Sequence, residues 1–290
     1  MPAAQFRRMV VLLCFALMPW AAHAQDAASL KSKHGSLSAQ LANNPFKRPL
    51  VLESSESSNR LAGDIYAVID HSFAEVKQTL QLPASWCDVL MLHLNTKYCA
   101  VAKAGADTSL SVALGRKFDQ PLADAQRVKF VWQPVVAGDD YLNVGLAAAE
   151  GPLSTRDYKI VLESVPLEGN KSFIHLSYSY AYGTAARLAM QAYLSTIGSD
   201  KSGFTVTGKD DKGAPKYIGG VRGVVERNTM RYYLAIDAFL DAPASAQLDA
   251  RLGAWFDATE RYALQLHETE RNDYLTMKRN EYQRMKTGGS

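Results

Sequence analysis

The sequence predicts an α+β fold in which an antiparallel sheet comes first and helices close the chain. Three observations carry this. Six strand-like stretches follow one another at about residues 97–102, 108–115, 127–133, 140–148, 155–165 and 171–182, with short turn-rich breaks between them. Such short connections give a meander rather than parallel crossovers. Within the stretches, side chains alternate: Val128, Phe130 and Trp132 share one face, as do Ile174, Leu176, Tyr178, Tyr180 and Tyr182. Beyond residue 183 the pattern turns helical, and residues 222–241 and 245–286 carry apolar side chains at three- and four-residue spacing.

The chain begins "MPAAQFRRMVVLLCFALMPWAAHA". Arg7 and Arg8 precede an apolar run from Met9 to Trp20, and Ala22-His23-Ala24 fits a small-residue cleavage site. The run is roughly twelve residues against the ~20 that a spanning helix needs. Residues 1–24 therefore read as a signal peptide cleaved near Ala24, and the expected compartment is a periplasm. Without that segment the chain has 30 basic and 29 acidic residues, because only Arg7 and Arg8 are lost from the 32 and 29 of the full sequence. A nearly neutral chain offers no electrostatic footprint for nucleic acid. Two cysteines remain of three, Cys87 and Cys99. An even count in an oxidising compartment predicts a disulfide between them, with two buried free thiols as the alternative.

Residues 25–48 are polar and weakly helical and read as an N-terminal arm. After Pro49, "LVLESSESSNRLAGDIYAVID" gives a strand, a turn and a second strand, with Leu61, Gly63, Ile65, Ala67 and Ile69 on one face. Ser72 to Glu75 form a capping box before a helix that ends by Pro83. "SWCDVLMLHLN" follows as a second short helix or a buried extended run. After the six strands, an Ala-rich helix is expected over 184–197, then a surface loop to 221 with one short strand, "FTVTG". The helix from 222 stops before Pro243. Residues 245–286 read as one long charged helix with Leu248, Leu252, Trp255, Tyr262 and Leu266 as its apolar stripe.

Chemical motifs are few. The five histidines after residue 24 (His34, His71, His93, His175, His267) show no close ligand spacing, so neither a metal nor any other cofactor is expected. There is no G-x-S-x-G elbow. "YIGGVRG" lacks the pattern of a phosphate-binding loop. The helix at 222–241 is the most informative segment. Val225, Thr229, Tyr232, Tyr233, Ile236, Phe239 and Leu240 fall on a face expected to meet the sheet. Arg227 and Arg231 share the opposite side, facing water or the last helix, and Glu226 is at pairing distance from Arg222.

Strand, two helices, six antiparallel strands and C-terminal helices together resemble the helix-grip architecture of the START and Bet v 1-like (SRPBCC) superfamily. The stretch "RLAGDIYAVIDHSFAEVKQTLQLPASWCDVL" is similar to the opening strand and helix pair of those families. The resemblance covers about residues 49–241 and implies a curved antiparallel sheet wrapped around a C-terminal helix. The 245–290 helical extension has no counterpart in the minimal fold. It also implies an apolar cavity and a hydrophobic partner, a small molecule or a lipid. Tyr178, Tyr180, Tyr182 and Tyr232 are the candidate wall, although simple core packing is the other use for such residues. Asn228, Thr229, Arg227 and Arg231 are the candidate polar rim, a solvated helix side being the alternative. Three functions compete: a periplasmic binding or transfer protein, a cyclase- or aromatase-like enzyme needing a buried acid or base in the cavity, and an envelope interaction protein that docks through 245–286. The third brings possible transient contact with a membrane or an envelope protein.

Overall fold

The computed structural model describes residues 26–184, 187, 188, 190, 192 and 201–287. The expected signal peptide and most of the helix expected over 184–197 lie outside the described residues.

The sheet is antiparallel throughout. Its strands are β1 (Leu50–Ser57), β2 (Arg60–Ile69), β3 (Thr96–Ala104), β4 (Asp107–Leu114), β5 (Gln126–Trp132), β6 (Val136–Ala137), β7 (Leu142–Glu150), β8 (Thr155–Leu167) and β9 (Lys171–Tyr182). They lie in the order β1-β2-β9-β8-β7-β5-β4-β3, with β6 attached to β7, and the sheet is not closed. The register brings the expected faces into line. Leu61 pairs with Tyr180, Ile65 with Leu176 and Ile160 with Tyr178, and all six side chains are buried on the inner face. A one-residue slip would send this whole set to the other side.

Between β2 and β3 run α2 (Phe73–Leu80) and α3 (Pro83–Leu92). The Ser72–Glu75 capping box is present, and Pro83 opens α3, where its missing N–H has no helical partner to lose. Trp86 is buried and donates its Nε1–H to the Leu80 carbonyl at 2.8 Å, tying the two helices together. Cys87 on α3 and Cys99 on β3 are joined in a disulfide, with Cα atoms 5.3 Å apart.

Helix α4 (Gly220–Asp241) crosses the inner face. It approaches β2 closely at Gly63, where an added Cβ would run into the Thr229 hydroxyl. Glycine is thus required by space, and the Thr229 Oγ1–H turns back to the Val225 carbonyl at 2.8 Å. The hairpin of β10 (Val206–Lys209) and β11 (Pro215–Tyr217) precedes α4.

The end of the chain departs from the single long helix expected over 245–286. It forms α5 (Leu248–Glu260), α6 (Ala263–Leu266) and α7 (Arg271–Lys286). No proline or glycine marks the breaks; long-range contacts make them. The Tyr262 hydroxyl donates to the Phe46 carbonyl at 3.1 Å, and the extended backbone from His267 to Glu270 delivers Glu268 to Arg231. The chain then folds back so that α7 buries Tyr274, Lys278 and Glu281. Lys278 Nζ donates to Glu281 at 2.7 Å and to the His93 and Thr96 carbonyls, while Lys97 reaches the other Glu281 oxygen at 2.9 Å. Lys278 and Glu281, part of the stretch expected to be solvated or partner-facing, are therefore engaged inside the molecule, while Arg271, Asp273, Arg279 and Lys286 stay exposed.

The outer face of the sheet is also covered. Residues 25–48, read as an arm, contain α1 (Ala27–Ala42), capped by Asp26. Its Leu30, Leu37 and Leu41 form a second core with Val51, Tyr66, Val165 and Phe173. No helix among the described residues is long and apolar enough to cross a membrane.

Candidate functional site

Two adjoining cavities flank α4, the first between it and the sheet, the second between it, the Arg116–Phe118 connection and Glu268. The larger, about 580 Å³, is bounded by Leu90 of α3, Val112 of β4, Phe130 of β5, and the rings of Tyr158, Tyr178 and Tyr232. It falls within the roughly 300–1,000 Å³ range of small-molecule sites. The tyrosines form one aromatic wall. Tyr178 stands 5.3 Å from Tyr232 and 6.3 Å from Tyr158, ring centre to ring centre. Burial pushes the Tyr178 and Tyr232 phenols up, so both stay neutral and present hydroxyls, not charges.

His93 stacks on Tyr232 at 5.0 Å in the same wall. The Asn95 backbone N–H donates to its Nδ1 at 3.2 Å, which places the proton of the neutral ring on Nε2. Burial, followed by the charges of Arg231, Lys278 and Lys117, pushes this imidazole well below its usual range. Asn228 lies near enough to favour the protonated ring weakly, but Nε2 has no hydrogen-bond partner among the described residues, nor does Thr96 Oγ1. A buried polar atom without a partner costs roughly 1–3 kcal/mol. Two of them stand in residues that border this one cavity.

The second cavity, about 510 Å³, shares Asn95, Arg116 and Asn228 with the first. Its other charged residues, among those described, are Lys117, Arg227, Arg231 and Glu268. Arg231 donates to Glu268 Oε1 at 2.8 Å and to the Leu266 carbonyl at 3.2 Å. Lys117 reaches the same oxygen at 2.7 Å, and Lys201 stands 3.9 Å from Oε2. Burial alone would raise the Glu268 carboxyl, but Arg231 and Lys117 outweigh it and hold the group below the usual carboxylate range. Burial lowers the Lys117 ammonium, with Arg231 and Arg227 adding to the effect against the pull of Glu268.

Several side chains sit elsewhere than expected. Arg227 and Arg231 do not face water; they are 3% and 2% exposed. Arg227 donates to the Ser202 carbonyl at 3.1 Å, and Trp255 of α5 closes over the Arg231 backbone. Glu226 does not pair with Arg222. It is fully buried and accepts hydrogen bonds from the Ser54 hydroxyl, from the Phe204 and Thr205 N–H groups and from the Thr205 hydroxyl. Arg222 turns instead to Ser54. Of the eight candidate ligand residues, Tyr178, Tyr232 and Asn228 border the first cavity, and Arg227, Arg231 and Asn228 the second. Thr229 is spent on the contact with β2. Tyr180 and Tyr182 stand outside both walls, the former stacked on Tyr158 at 5.2 Å and the latter bonded to Glu56.

His93, Asn95, Arg116, Lys117, Tyr158 and Glu268 were not singled out in the sequence. Their only signal there is one of type, since each lies in a connection or on a strand with no local motif. Among the described residues no group of three or more His, Cys, Asp or Glu is arranged to hold a metal ion.

No family model matches the chain. No curated protein matches it either. Solved structures resemble it in fold. Norcoclaurine synthase of Thalictrum flavum is 14% identical with a TM-score of 0.34, covering 50% of this chain and 86% of that one. Human StAR-related lipid transfer protein 5 is 8% identical with a TM-score of 0.31, covering 58% and 89%. A conserved protein of unknown function from Enterococcus faecalis is 8% identical with a TM-score of 0.32, covering 88% and 99%. At such identities the likeness extends to the fold alone.

Proposed function

We propose that this protein binds a hydrophobic small molecule or lipid between the sheet and α4, acting as a binding or transfer protein of the periplasm. The observation that carries this reading is the first cavity itself: a half-open space of about 580 Å³ whose inner wall is Leu90, Val112, Phe130, Tyr178 and Tyr232 and whose mouth is lined by the exposed Arg116, Asp124, Gln126 and Leu153. Apolar walls with a few convergent polar groups are the usual make-up of such sites. The compartment is supported by the signal-like N-terminus and by the Cys87–Cys99 bridge, which persists where thiols are oxidised. Residues 49–241 would form the ligand-binding domain, and the described part of the 245–290 extension, to Thr287, a brace against α3, α4 and β3.

The enzyme alternative draws no support from His175 and Glu163, a buried base and acid on β9 and β8. Both lie across the sheet from the cavity, under α1. His93 does border the cavity, but a deeply buried imidazole with depressed basicity is a weak proton acceptor.

The test is saturable, one-site binding of an alkyl ligand or apolar fluorophore by the purified chain. Leu114→Trp places an indole in the cavity wall and should weaken binding about tenfold or more, with the melting transition preserved. Undiminished one-site binding by a folded Leu114→Trp protein would locate the ligand elsewhere.

A further inference from the structure

We infer that the guest of the first cavity is an uncharged carbonyl compound, a ketone, ester or amide on a hydrocarbon frame, whose oxygen accepts hydrogen bonds from the Tyr178 and Tyr232 hydroxyls. This deepens the reading above and rests on it. Of the three tyrosines in this aromatic chamber, Tyr158 is spent, its hydroxyl lying 2.7 Å from Thr155 Oγ1. The hydroxyls of Tyr178 and Tyr232 make no hydrogen bond among the described residues, yet neither is sealed from open space. Their rings stand 5.3 Å apart and His93 stacks on Tyr232 at 5.0 Å, so the unspent groups are contiguous. In the same lining His93 Nε2 and Thr96 Oγ1 are closed off, and they too have no partner among the described residues. An imidazole N–H left unpaired there shows that acceptors are scarce in this part of the chamber.

Charge and hydrogen-bond sense together define the guest. Among the described residues of this lining, the formally charged ones are Arg116 and Asp124, both exposed at the mouth. The inner wall offers neutral groups, and a carboxylate or phosphate carried down to the tyrosines would lose its hydration there without meeting a counter-charge. Burial holds both phenols neutral, and a phenol donates better than it accepts. A carbonyl oxygen has two lone pairs and no proton, so it can take a bond from each hydroxyl and leave nothing of its own unpaired. An alcohol would bring a proton that needs an acceptor where acceptors are scarce. A hydrocarbon would strip water from both phenols and return nothing, at a loss of affinity.

The experiment is calorimetric titration of the full chain with methyl heptyl ketone, with methyl heptyl carbinol, which differs from it only at the oxygen-bearing carbon, and with nonanoate. The ketone should bind about fivefold more tightly than the carbinol, and more tightly than nonanoate. Tyr178→Phe and Tyr232→Phe each delete one hydroxyl and keep the ring; each should cut the ketone-to-carbinol ratio by about threefold or more. Infrared spectroscopy with an isotope-labelled carbonyl reads the contact itself: the stretch of the bound ketone should lie below its position in hexane. In either variant it should move back towards that position. If the variants fold poorly, the infrared measurement on the unsubstituted chain decides by itself. A bound stretch at the hexane position, or equal affinity for ketone and carbinol, overturns the inference and leaves the hydrophobic-ligand reading in place. Tighter binding of nonanoate also overturns it, by assigning the chamber to a charged guest. Failure of all three compounds and of an apolar fluorophore to bind removes the cavity reading and this one together.

Discussion

Glu163 Oε2 and His175 Nδ1 lie 2.8 Å apart on the outer face of the sheet, in a buried polar cluster beneath α1. Asp64 holds the other ring nitrogen at 2.9 Å, Tyr141 donates to the second Glu163 oxygen, and Tyr66 stacks on the imidazole at 4.3 Å, with Lys33 above the tyrosine. Burial lowers the His175 pKa, but the hydrogen bonds and charges of Asp64 and Glu163 prevail and raise it to about 8. A histidine whose folded pKa exceeds its unfolded value of 6.5 contributes stability below that value and loses it as pH rises through the folded one. Stability should therefore fall between about pH 6.5 and pH 8, by about 2 kcal/mol at most. Denaturant melts across this range should show the decline, and His175→Gln should flatten it. An equal decline in the variant would assign the titration to another group.

Among the described residues Glu281 is the sole carboxylate hydrogen-bonded to Lys97 and Lys278, in a site where all three side chains are fully buried. Glu281→Gln should cost about 3–5 kcal/mol, because it leaves two buried cations without a counter-charge. Urea unfolding measures this. A loss below about 1 kcal/mol would mean that water reaches the lysines.

Breaking the Cys87–Cys99 bridge should lower stability by about 3 kcal/mol on the chain-entropy account of a short loop. The double change Cys87→Ala and Cys99→Ala tests it in the melt. Thiol labelling of the denatured, unreduced chain should leave both cysteines unmodified.

Gly63→Ala forces a methyl group onto Thr229 at the contact of β2 with α4. Overpacking of this kind costs about 1–3 kcal/mol. Adding Thr229→Ala removes the hydroxyl and should restore part of the loss. If the pair shows no coupling in a double-mutant cycle, the two residues are not in contact in solution.

Much of the architecture could be read from local pattern. Alternation in "RVKFVWQ" and "SFIHLSYSYAY" located β5 and β9 and identified the inner face, because a strand's period shows within a few residues. The Ser72–Glu75 cap was legible for the same reason, being a contact three residues long. The site was less so. His93, Arg116 and Glu268 meet across the fold from a helix-to-strand connection, a loop and the break between α6 and α7, and no local period encodes such a meeting. The break was itself hidden, since Arg261 to Glu270 contains neither proline nor glycine and its helical tendency is overridden by Glu268 reaching Arg231. Burial of Arg227 and Arg231 beneath the C-terminal helices was only one of two readings left open, for a related reason. Charged residues on a helix read as solvated unless the elements that cover them are known. Docking of α1 was obscured by its many polar residues, although Leu30, Leu37 and Leu41 keep helical spacing.

On the ligand-binding reading proposed above, the Cys87–Cys99 link also bears on recognition. The loop it closes, twelve residues in separation, carries Leu90, His93, Asn95 and Thr96, four residues that border the aromatic chamber. A free loop would surrender conformational freedom each time a guest arrived, and that loss would subtract from affinity. With its ends fastened to a helix and a strand, the segment is already ordered when the chamber is empty. The bond thus acts as preorganisation: reducing it should speed escape of the bound molecule more than it slows arrival, even where the fold survives.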